Sequence, residues 1–545
     1  MDRHLIRAFL ITGLALPAFA RIFPQSDLQN YLITQSPRVP LSDTCLLDTA
    51  SFGQVSTRVE YVDGLGRAVR QIDRRASPSG CDVVSFQVYD LNGRQPVEYL
   101  PYVLVSPSKG EWQEDPVGGV KDFYASPPEA ITPTSQPFRE KIFDGSPLNE
   151  VIRQGGEGKV WDVHTGHPVR YDRYPSPGEI PRWVVRPGKP AVEGTYPACS
   201  LLVEETIDEN GNITREYSDK KQRTILRESY LAGKPLQTFY IYDVYGRLAA
   251  VIPPEAAAGN PAFDELVFLY HYDERGRLVE KKLPAMEPVH LVVDRMERPV
   301  LTQDGNLRKH HRWHYTKYDA LGRVAETGIY TDPQGRSRQA LQAIMDQYTE
   351  RVYEQWDPES GEYTRRIFPV DNLFPLVIHY YDQYDFPGAA ELDNLQDPAF
   401  PEPEAPSGKG RQTGSRVRVG NTDTWLLSVM VYDRRGRLIR SVSENHLGGV
   451  DRVFTEYDFT GQVIRSRHQH TVPGKEEINL YTRHEYDHAG RLIRTWHRVN
   501  NQAEVLMVEN RYNEIGQPVE KNLHATGEGK FLQSVDYRYN VRGWL

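Results

Sequence analysis

Cysteine is scarce in this 545-residue chain, which contains only Cys45, Cys81 and Cys199. The three lie far apart and none belongs to a Cys-x-x-Cys pair. The sequence therefore excludes a fold built on a framework of disulfides, although one disulfide could form in an oxidising compartment. The fold must be stabilised by its own packing.

Long apolar runs and an excess of basic charge are also missing. Beyond the first twenty residues, no stretch approaches the roughly 18 apolar residues of a membrane-spanning helix. The formal net charge is -9, which argues against a general nucleic-acid-binding protein because such proteins present a basic surface. We therefore expect no membrane span and no nucleic-acid partner.

The first twenty residues have the pattern of an export signal. Arg3 and Arg7 precede a mostly apolar run at residues 8–16, and small residues flank a cleavage site in Ala18-Phe19-Ala20. Residues 1–20 are therefore predicted to be a signal peptide. The mature chain is predicted to be exported as a soluble protein, secreted or held at the cell surface.

A short repeat dominates what the sequence does contain. The motif Tyr-Asp-x-x-Gly-Arg occurs six times, whereas composition alone predicts fewer than about 0.01 copies in such a chain. The 32 tyrosines, 42 glycines and 39 prolines favour short strands and turns over helices. Strict copies begin at Tyr89, Tyr242, Tyr272, Tyr318, Tyr432 and Tyr486, near copies begin at Tyr457, Tyr512 and Tyr539, and Val62 begins a copy without Tyr.

Each motif predicts a β-hairpin. Asp followed by Gly three positions later is the preference of a type I turn, in which Gly takes a positive φ and the Asp carboxylate accepts backbone hydrogen bonds. We expect these turns at exposed hairpin tips, with Tyr and Arg of one motif stacked across the two strands. The predicted turn residues are Asp90, Gly93, Asp243, Gly246, Asp273, Gly276, Asp319, Gly322, Asp433, Gly436, Asp458, Gly461, Asp487 and Gly490.

The spacing of the motifs predicts how the hairpins assemble. From Gly436 to Gly543 the motif glycines follow one another at intervals of 25, 29, 26 and 27 residues. A hairpin of this size cannot bury a face alone, so neighbouring hairpins must stack. We therefore predict an all-β fold in which stacked hairpins form one open, curved or spiral sheet.

Four regions follow the predicted signal peptide. Residues 21–200 contain early degenerate repeats, residues 201–330 and 421–545 are two repeat blocks, and residues 331–420 are an insertion. The insertion is predicted to contain one amphipathic helix, lying against the sheet, and a Pro-rich linker. The apolar face of that helix consists of Leu341, Ile344, Met345, Tyr348, Val352 and Trp356. The last motif, "YNVRGWL", has no return strand, which indicates a truncated second block.

Several residues suggest chemistry, but a structural role accounts better for each. The repeated Asp could supply the paired carboxylates of a glycosidase, yet each already belongs to a turn. Two groups of histidines lack the further ligands of a metal site, and the turn at Asp208 lacks the Glu that completes a calcium loop. We predict a non-enzymatic protein without cofactor or metal. The histidines are His310, His311 and His314, and His468 to His470 in "HQH".

The repeats resemble the YD repeats of the rearrangement-hotspot (RHS) family, on segments such as "YDVYGRLAAVIPP", "YDERGRLVEKKLP" and "YDHAGRLIRT". This family includes bacterial polymorphic toxins, shell subunits of insecticidal toxin complexes and animal teneurins. The resemblance implies hairpins wound in a spiral into a hollow β-shell that can enclose a toxic domain. The region from about 30 to 170, with "PFREKIFDGSPLNEVIRQGGEG", also resembles the N-terminal region of exported RHS proteins from Bacteroidetes.

These observations predict an exported scaffold that forms part of an encapsulating shell in a toxin-delivery or cell-surface system. Its own downstream region or a partner chain would complete the shell, and a toxin is the expected cargo. The alternative is a surface adhesin that binds glycans by stacking sugars on tyrosines of the sheet. The tyrosines considered for this role are Tyr240, Tyr242, Tyr270 and Tyr272, for which packing between hairpins is the competing interpretation.

Overall fold

A computed structural model describes residues 29–47, 50–128, 130–186, 189–393, 397–400 and 408–545. The predicted signal peptide lies outside the described residues. The described chain is almost entirely β-structure, and 31 of its strands belong to one large antiparallel sheet that does not close on itself. The predicted fold class is confirmed.

The strands are short and follow one another along the whole chain. Before the first regular block they are β1 (Asn30–Pro37), β2 (Val55–Val62), β3 (Ala68–Asp73), β4 (Val83–Val88), β5 (Val97–Tyr99), β6 (Tyr102–Val103), β7 (Phe138–Phe143), β8 (Val151–Gln154), β9 (Val169–Pro175), β10 (Ile180–Arg186) and β11 (Lys189–Tyr196). The first block contains β12 (Leu202–Ile207), β13 (Ile213–Ser218), β14 (Thr224–Leu231), β15 (Lys234–Tyr242), β16 (Leu248–Ile252), β17 (Phe268–Tyr272), β18 (Leu278–Lys282), β19 (Val289–Val293), β20 (Pro299–Gln303), β21 (Arg312–Tyr318) and β22 (Val324–Thr331).

The insertion and the second block continue the series. Their strands are β23 (Trp356–Asp357), β24 (Glu362–Tyr363), β25 (Leu373–Asp382), β26 (Gly408–Arg418), β27 (Trp425–Tyr432), β28 (Leu438–Glu444), β29 (Val450–Tyr457), β30 (Val463–His470), β31 (Ile478–Tyr486), β32 (Leu492–Val499), β33 (Val505–Tyr512), β34 (Pro518–Gly527) and β35 (Lys530–Asp536). The helices are α1 (Pro116–Ala125), α2 (Pro254–Ala257), α3 (Phe263–Leu266), α4 (Gly305–Arg308), α5 (Arg338–Met345) and α6 (Ala389–Leu392), with 3-10 turns at Thr44–Leu47 and Lys159–Trp161.

Most strands pair with the strands before and after them in the chain, so the turns that connect the strands lie alternately at the two ends of the strands. The motif turns all lie along one side of the sheet, at the same end of the strands, and we call this side the motif edge. There Tyr242 opposes Leu248 across the turn. The other turns lie along the opposite side of the sheet, which we call the return edge; there Leu231 opposes Lys234. The hairpins β10–β11 and β23–β24 branch away from the sheet.

One face of the sheet carries the apolar core, and the insertions cover it. In the first block the side chains of Phe239 and Ile241 are buried under α2, α3 and the β10–β11 hairpin. In the second block Val429 and Val431 are buried under α6. Because successive side chains of a strand point to opposite faces of the sheet, the residues that enter this core alternate with residues on the other face.

The helix of the insertion is shorter than the sequence predicts. It ends at Met345, and the chain leaves it at Asp346, whose carboxylate is bound by Arg277 at 3.0 Å. Leu341 and Met345 are nevertheless buried as predicted. Ile344 lies in the helix and packs against the same cluster. The last three residues of the predicted apolar face reach the core from the non-helical segment after the helix: Tyr348 and Val352 pack against this cluster, and Trp356 packs against the next.

Two further features bear on the sequence-based expectations. Cys45, Cys81 and Cys199 are all free, and the first and last of them are exposed. Within the part of the chain that the structure describes, none of the helices has both the length and the apolar character that crossing a bilayer demands.

Candidate functional site

The motif turn at Asp433 shows why the repeat needs its four residue types. One carboxylate oxygen of Asp433 accepts the backbone N–H groups of Arg435 and Arg437 at 2.8 Å each, and the other accepts the Nε of Arg437 at 2.6 Å. Gly436 has a φ of 82°. Burial opposes ionisation of Asp433, but the hydrogen bonds from Arg437 outweigh it and lower the pKa of this carboxyl.

The same arrangement recurs along the motif edge. Each predicted turn glycine has a positive φ, and each predicted turn aspartate accepts backbone hydrogen bonds from its own turn. The glycines are Gly93, Gly246, Gly276, Gly322, Gly436, Gly461 and Gly490. The aspartates are Asp90, Asp243, Asp273, Asp319, Asp433, Asp458 and Asp487.

Sequence reasoning missed some members of this series. The Asp219 and Asp332 carboxylates bind the Arg four positions later in the same way. At the Asp219 turn, Gln222 takes the positive φ that Gly takes elsewhere. The signal that could have found them is Asp followed four residues later by Arg, without the requirement for Tyr or Gly.

The expectation that the turn aspartates lie at exposed tips is wrong. Asp433 is 2% exposed and Asp319 is 8% exposed. The reason is that motif turns pack against neighbouring segments: Arg247 donates to the carbonyl of Asp273 in the next motif turn, and Arg437 donates to that of Asp458. Their carboxylates are occupied by hydrogen bonds and have a structural role.

The arginine of most motifs stacks on a tyrosine of the following hairpin, not on its own, which also corrects the expectation from sequence. Arg94 instead lies over the ring of Phe143, and Arg277 binds the carboxylate of Asp346. The Arg247 guanidinium lies 4.6 Å from the ring centre of Tyr272, and that tyrosine donates a hydrogen bond to the carbonyl of Leu248 at 3.0 Å. The motif therefore links one hairpin to the next. Equivalent stacks join Arg67 to Tyr89, Arg223 to Tyr242, Arg298 to Tyr318, Arg323 to Tyr381, Arg437 to Tyr457 and Arg491 to Tyr512.

The four tyrosines considered for glycan stacking are all half-buried. Tyr242 lies under Arg223 and Tyr272 under Arg247, so one ring face of each is occupied. Tyr240 and Tyr270 lie within the strands, opposite Val251 and Lys281. One ring face of Tyr242 and one of Tyr272 is therefore not available to a sugar.

The motif edge of the last hairpins contacts the return edge of the first strands, and we call this contact the seam. At its start, the Nε2 of His488 bonds to the carbonyls of Arg75 and Ser77 at 2.8 and 3.0 Å. The neighbouring Arg491 donates to the carbonyl of Ala76 at 2.9 Å, and Arg38 donates to that of Ala489 at 3.0 Å. The sheet thus coils through about one turn.

The seam continues through the next two motif turns. Ser79 donates to the carboxylate of Glu514 at 2.7 Å, and Thr132 donates to the carbonyl of Tyr539. At its end, the Arg542 guanidinium lies over the ring of Trp161 at 4.4 Å and beside Gly156. The seam therefore joins residues that are roughly 330 to 450 positions apart, which no local pattern in the sequence reveals.

Other candidate residues are not brought together. His310 and His311 are exposed in a turn, His314 is half-buried on β21 with its pKa lowered by burial, and His468 is exposed. Asp208 closes a turn of the motif type, accepting from Asn210 and Asn212. Over the described ranges, no group of three or more His, Cys, Asp or Glu side chains is placed to hold a metal ion.

Residues 33–174 match the model of a domain of unknown function, DUF6443. No curated protein sequence matches the chain.

Two solved structures resemble the chain over nearly its whole length. The crystal structure of TcdB2-TccC3-Cdc42 matches with a TM-score of 0.56 and 14% identity, over 94% of this chain and 22% of that one. TcdB2-TccC3 matches with the same TM-score and identity, over 95% and 23%. This chain thus spans about a fifth of the length of those chains. At such identity the likeness shows the fold alone.

Proposed function

We propose that this chain is an exported, non-enzymatic scaffold that builds part of the wall of a hollow shell in a toxin-delivery or cell-surface system. The observation that carries the proposal is the seam: one continuous sheet coils until its motif edge rests on its own return edge. A sheet that stacks on itself in this way makes a wall. The fold shared with TcdB2-TccC3 supports the same role.

Further strands would complete the shell, from the chain's own continuation or from a partner chain. The support for this is that the chain has about a fifth of the length of the chains it resembles and that its sheet is open. A toxic protein domain is the proposed cargo of the completed shell. The glycan-binding alternative has less support, because Tyr242 and Tyr272 are already stacked under arginines.

Electron microscopy of the purified chain tests the scaffold. We expect single particles with an open coil of about one turn, and no turnover of glycans, peptides or nucleic acids in the same preparation. A sealed hollow particle would contradict the need for further strands. Turnover that disappears when a motif aspartate is changed to Asn, with folding intact, would contradict the non-enzymatic role. Capture of one glycan class on an array, abolished by Tyr240→Ala or Tyr270→Ala, would favour the adhesin.

A further inference from the structure

Three ionisable side chains are buried together beneath the insertion, beside the motif that begins at Tyr318 and away from the seam. Lys317 on β21 and Glu326 on β22 are direct neighbours across the two strands. Glu354, from the segment after α5, reaches the same place. Lys317 is 3% exposed, Glu326 8% and Glu354 1%. A buried group of one amine and two carboxyls calls for an explanation, because burial strongly disfavours charge.

The surroundings favour uncharged forms of two of these groups. Burial raises the pKa of Glu326 and lowers the pKa of Lys317. The hydroxyl of Tyr315 also bonds to Glu326. The site therefore holds a carboxylic acid that can carry a proton beside an amine that can lose one.

Three of the hydrogen bonds around Lys317 and Glu354 would also be made by an amide between them. The Nζ of Lys317 lies 3.1 Å from Oε1 of Glu354 and donates to the carbonyl of Ile367. The other oxygen, Oε2, accepts the backbone N–H of Arg366 at 2.9 Å and the hydroxyl of Thr364 at 3.0 Å. An amide carbonyl at Oε2 and an amide N–H at Nζ would keep these three partners, whereas the backbone N–H of Ile367, which donates to Oε1 at 3.2 Å, would lose its acceptor.

We propose that Lys317 and Glu354 condense to form an intramolecular amide bond. The Nζ of Lys317 attacks Cδ of Glu354, so that a C–N bond forms and the bond from Cδ to Oε1 breaks. Of the three protons of the ammonium group, one stays on the amide nitrogen and two leave with Oε1 as water. Glu326 carries protons from Nζ to Oε1 and returns to its starting form, so no oxidant or other reactant is required.

Three features of the site drive the reaction in this direction. The negative charge that develops on Oε2 is met by the two donors from Arg366 and Thr364, in the manner of an oxyanion hole. The packing of the insertion on β21 holds Nζ of Lys317 at 3.1 Å from Oε1 of the carboxyl group that it attacks. The product replaces a buried amine and carboxyl, for which any charge is costly, with a neutral amide, and water is excluded from the site where the reverse reaction would need it.

Peptide mapping of the native full-length chain tests this proposal without any mutation. We expect trypsin to leave the Lys317 bond uncut and to release one branched peptide that joins Lys317 to Glu354, with a mass one water below the sum of its parts. Lys141 and Glu98 form a surface ion pair in the same chain, each about a quarter exposed. They should be recovered in separate peptides, since water surrounds them.

Two variants identify the roles of the carboxyls. Glu326→Gln keeps the size of the side chain but removes its acid function, so linkage should slow by at least about a hundredfold. Glu354→Gln should still link, with loss of ammonia in place of water. Recovery of Lys317 and Glu354 only in separate peptides, after prolonged incubation of the folded chain, would overturn the proposal. Equal linkage rates in Glu326→Gln and the native chain would overturn the role of Glu326.

Discussion

The Nη1 of Arg542 donates a hydrogen bond to Oε1 of Glu209 at 2.9 Å, although 333 positions separate the two residues in the sequence. Arg542 is also held between the rings of Trp161 and Trp544, at 4.4 and 5.1 Å. This arginine occupies one of the free positions of the last motif and is the final contact of the seam. Five testable predictions follow from the seam, the turns and the charged groups near them.

Arg542→Ala should loosen the end of the seam without unfolding the sheet. The arginine side chain is only 9% exposed and its loss leaves Glu209 without its partner, so we expect about 2 kcal/mol of destabilisation. Chemical denaturation measures this change, and proteolysis should become faster at residues 537–545. Arg538→Ala, at an exposed position of the same segment, should change the stability by less than about 0.5 kcal/mol. Equal effects of the two substitutions would contradict a specific seam.

Gly156→Ala should displace Arg542 from the other side. A Cβ at Gly156 would lie 2.0 Å from Nη2 of Arg542, so the guanidinium would have to leave its position. The control is Gly527→Ala, where a Cβ would meet nothing within 4 Å. Thermal unfolding of both variants decides the matter, and the double variant with Arg542→Ala should be no less stable than Arg542→Ala alone. Additive losses would instead show that Gly156 acts independently of the arginine.

Asp433→Ala should be among the most damaging changes on the motif edge. It removes the acceptor of three hydrogen bonds and leaves the Arg437 guanidinium, which is 20% exposed, without the carboxylate of its own turn. We expect a loss of about 3 kcal/mol, at the low end for a broken buried pair. Denaturation by urea measures it. Asp63→Ala, at a turn whose Asp side chain is 22% exposed, should cost clearly less, and a larger loss at Asp63 would contradict the role assigned to burial.

Gly461→Ala and Gly490→Ala compare a motif turn outside the seam with a motif turn in the seam. Both glycines have a positive φ, 96° and 85°, so each substitution should cost about 1–2 kcal/mol through backbone strain. A Cβ at Gly461 meets nothing, whereas one at Gly490 would lie 3.0 Å from Nη1 of Arg38. Hydrogen exchange should therefore increase at residues 30–38 only in Gly490→Ala. Exchange that rises there in both variants would count against a local effect.

Stability should depend on pH through Glu280, whose two carboxylate oxygens lie 3.1 Å from His271 and His290. These hydrogen bonds lower the pKa of Glu280 below its ordinary 4.5, and the bond to Glu280 raises the pKa of His271 above its ordinary 6.5. The contribution of Glu280 is complete above pH 4.5 and is lost as the pH falls through its lowered pKa. That of His271 is complete below pH 6.5 and is lost as the pH rises through its raised pKa.

The cluster therefore stabilises the fold most between about pH 4.5 and 6.5. Melting temperatures of the native chain and of Glu280→Gln, measured from pH 4 to 8, test this prediction. The difference between them should be largest inside that window and should shrink on both sides. A difference that does not vary with pH would show that Glu280 contributes only by packing.

The fold was predictable because its signals are local. Asp and Gly three positions apart specify a turn within the motif itself, and the regular spacing requires that hairpins stack. The stacking partner of each arginine was not predictable, because the tyrosine within the same motif and the tyrosine of the next hairpin have the same residue pattern. The length of α5 was also predicted wrongly. Periodicity placed six apolar residues on one helix, but the helix has only eight residues in all, and three of the six reach the core from the segment after it.

The seam and the buried trio were invisible in the sequence for a different reason. His488 and Arg542 occupy positions where the motif allows any residue. The groups that His488 contacts are backbone carbonyls, which every residue has, and the carboxylate that Arg542 binds is 333 positions away. Lys317 becomes notable only when the insertion folds back and places Glu354 beside it. Such sites depend on the arrangement of segments far apart in the chain.

The length of chain between the two sides of the seam also sets the order in which the protein can fold. Each hairpin closes within about 20 residues of contiguous chain and can form early, because local contacts need little loop closure. His488 cannot reach Ser77 until the 411 positions between them have been arranged. The seam must therefore be among the last contacts to form. One misfolded hairpin would shift the motif edge of the last hairpins relative to the return edge of the first strands. The seam can therefore form only when the whole coil has folded correctly.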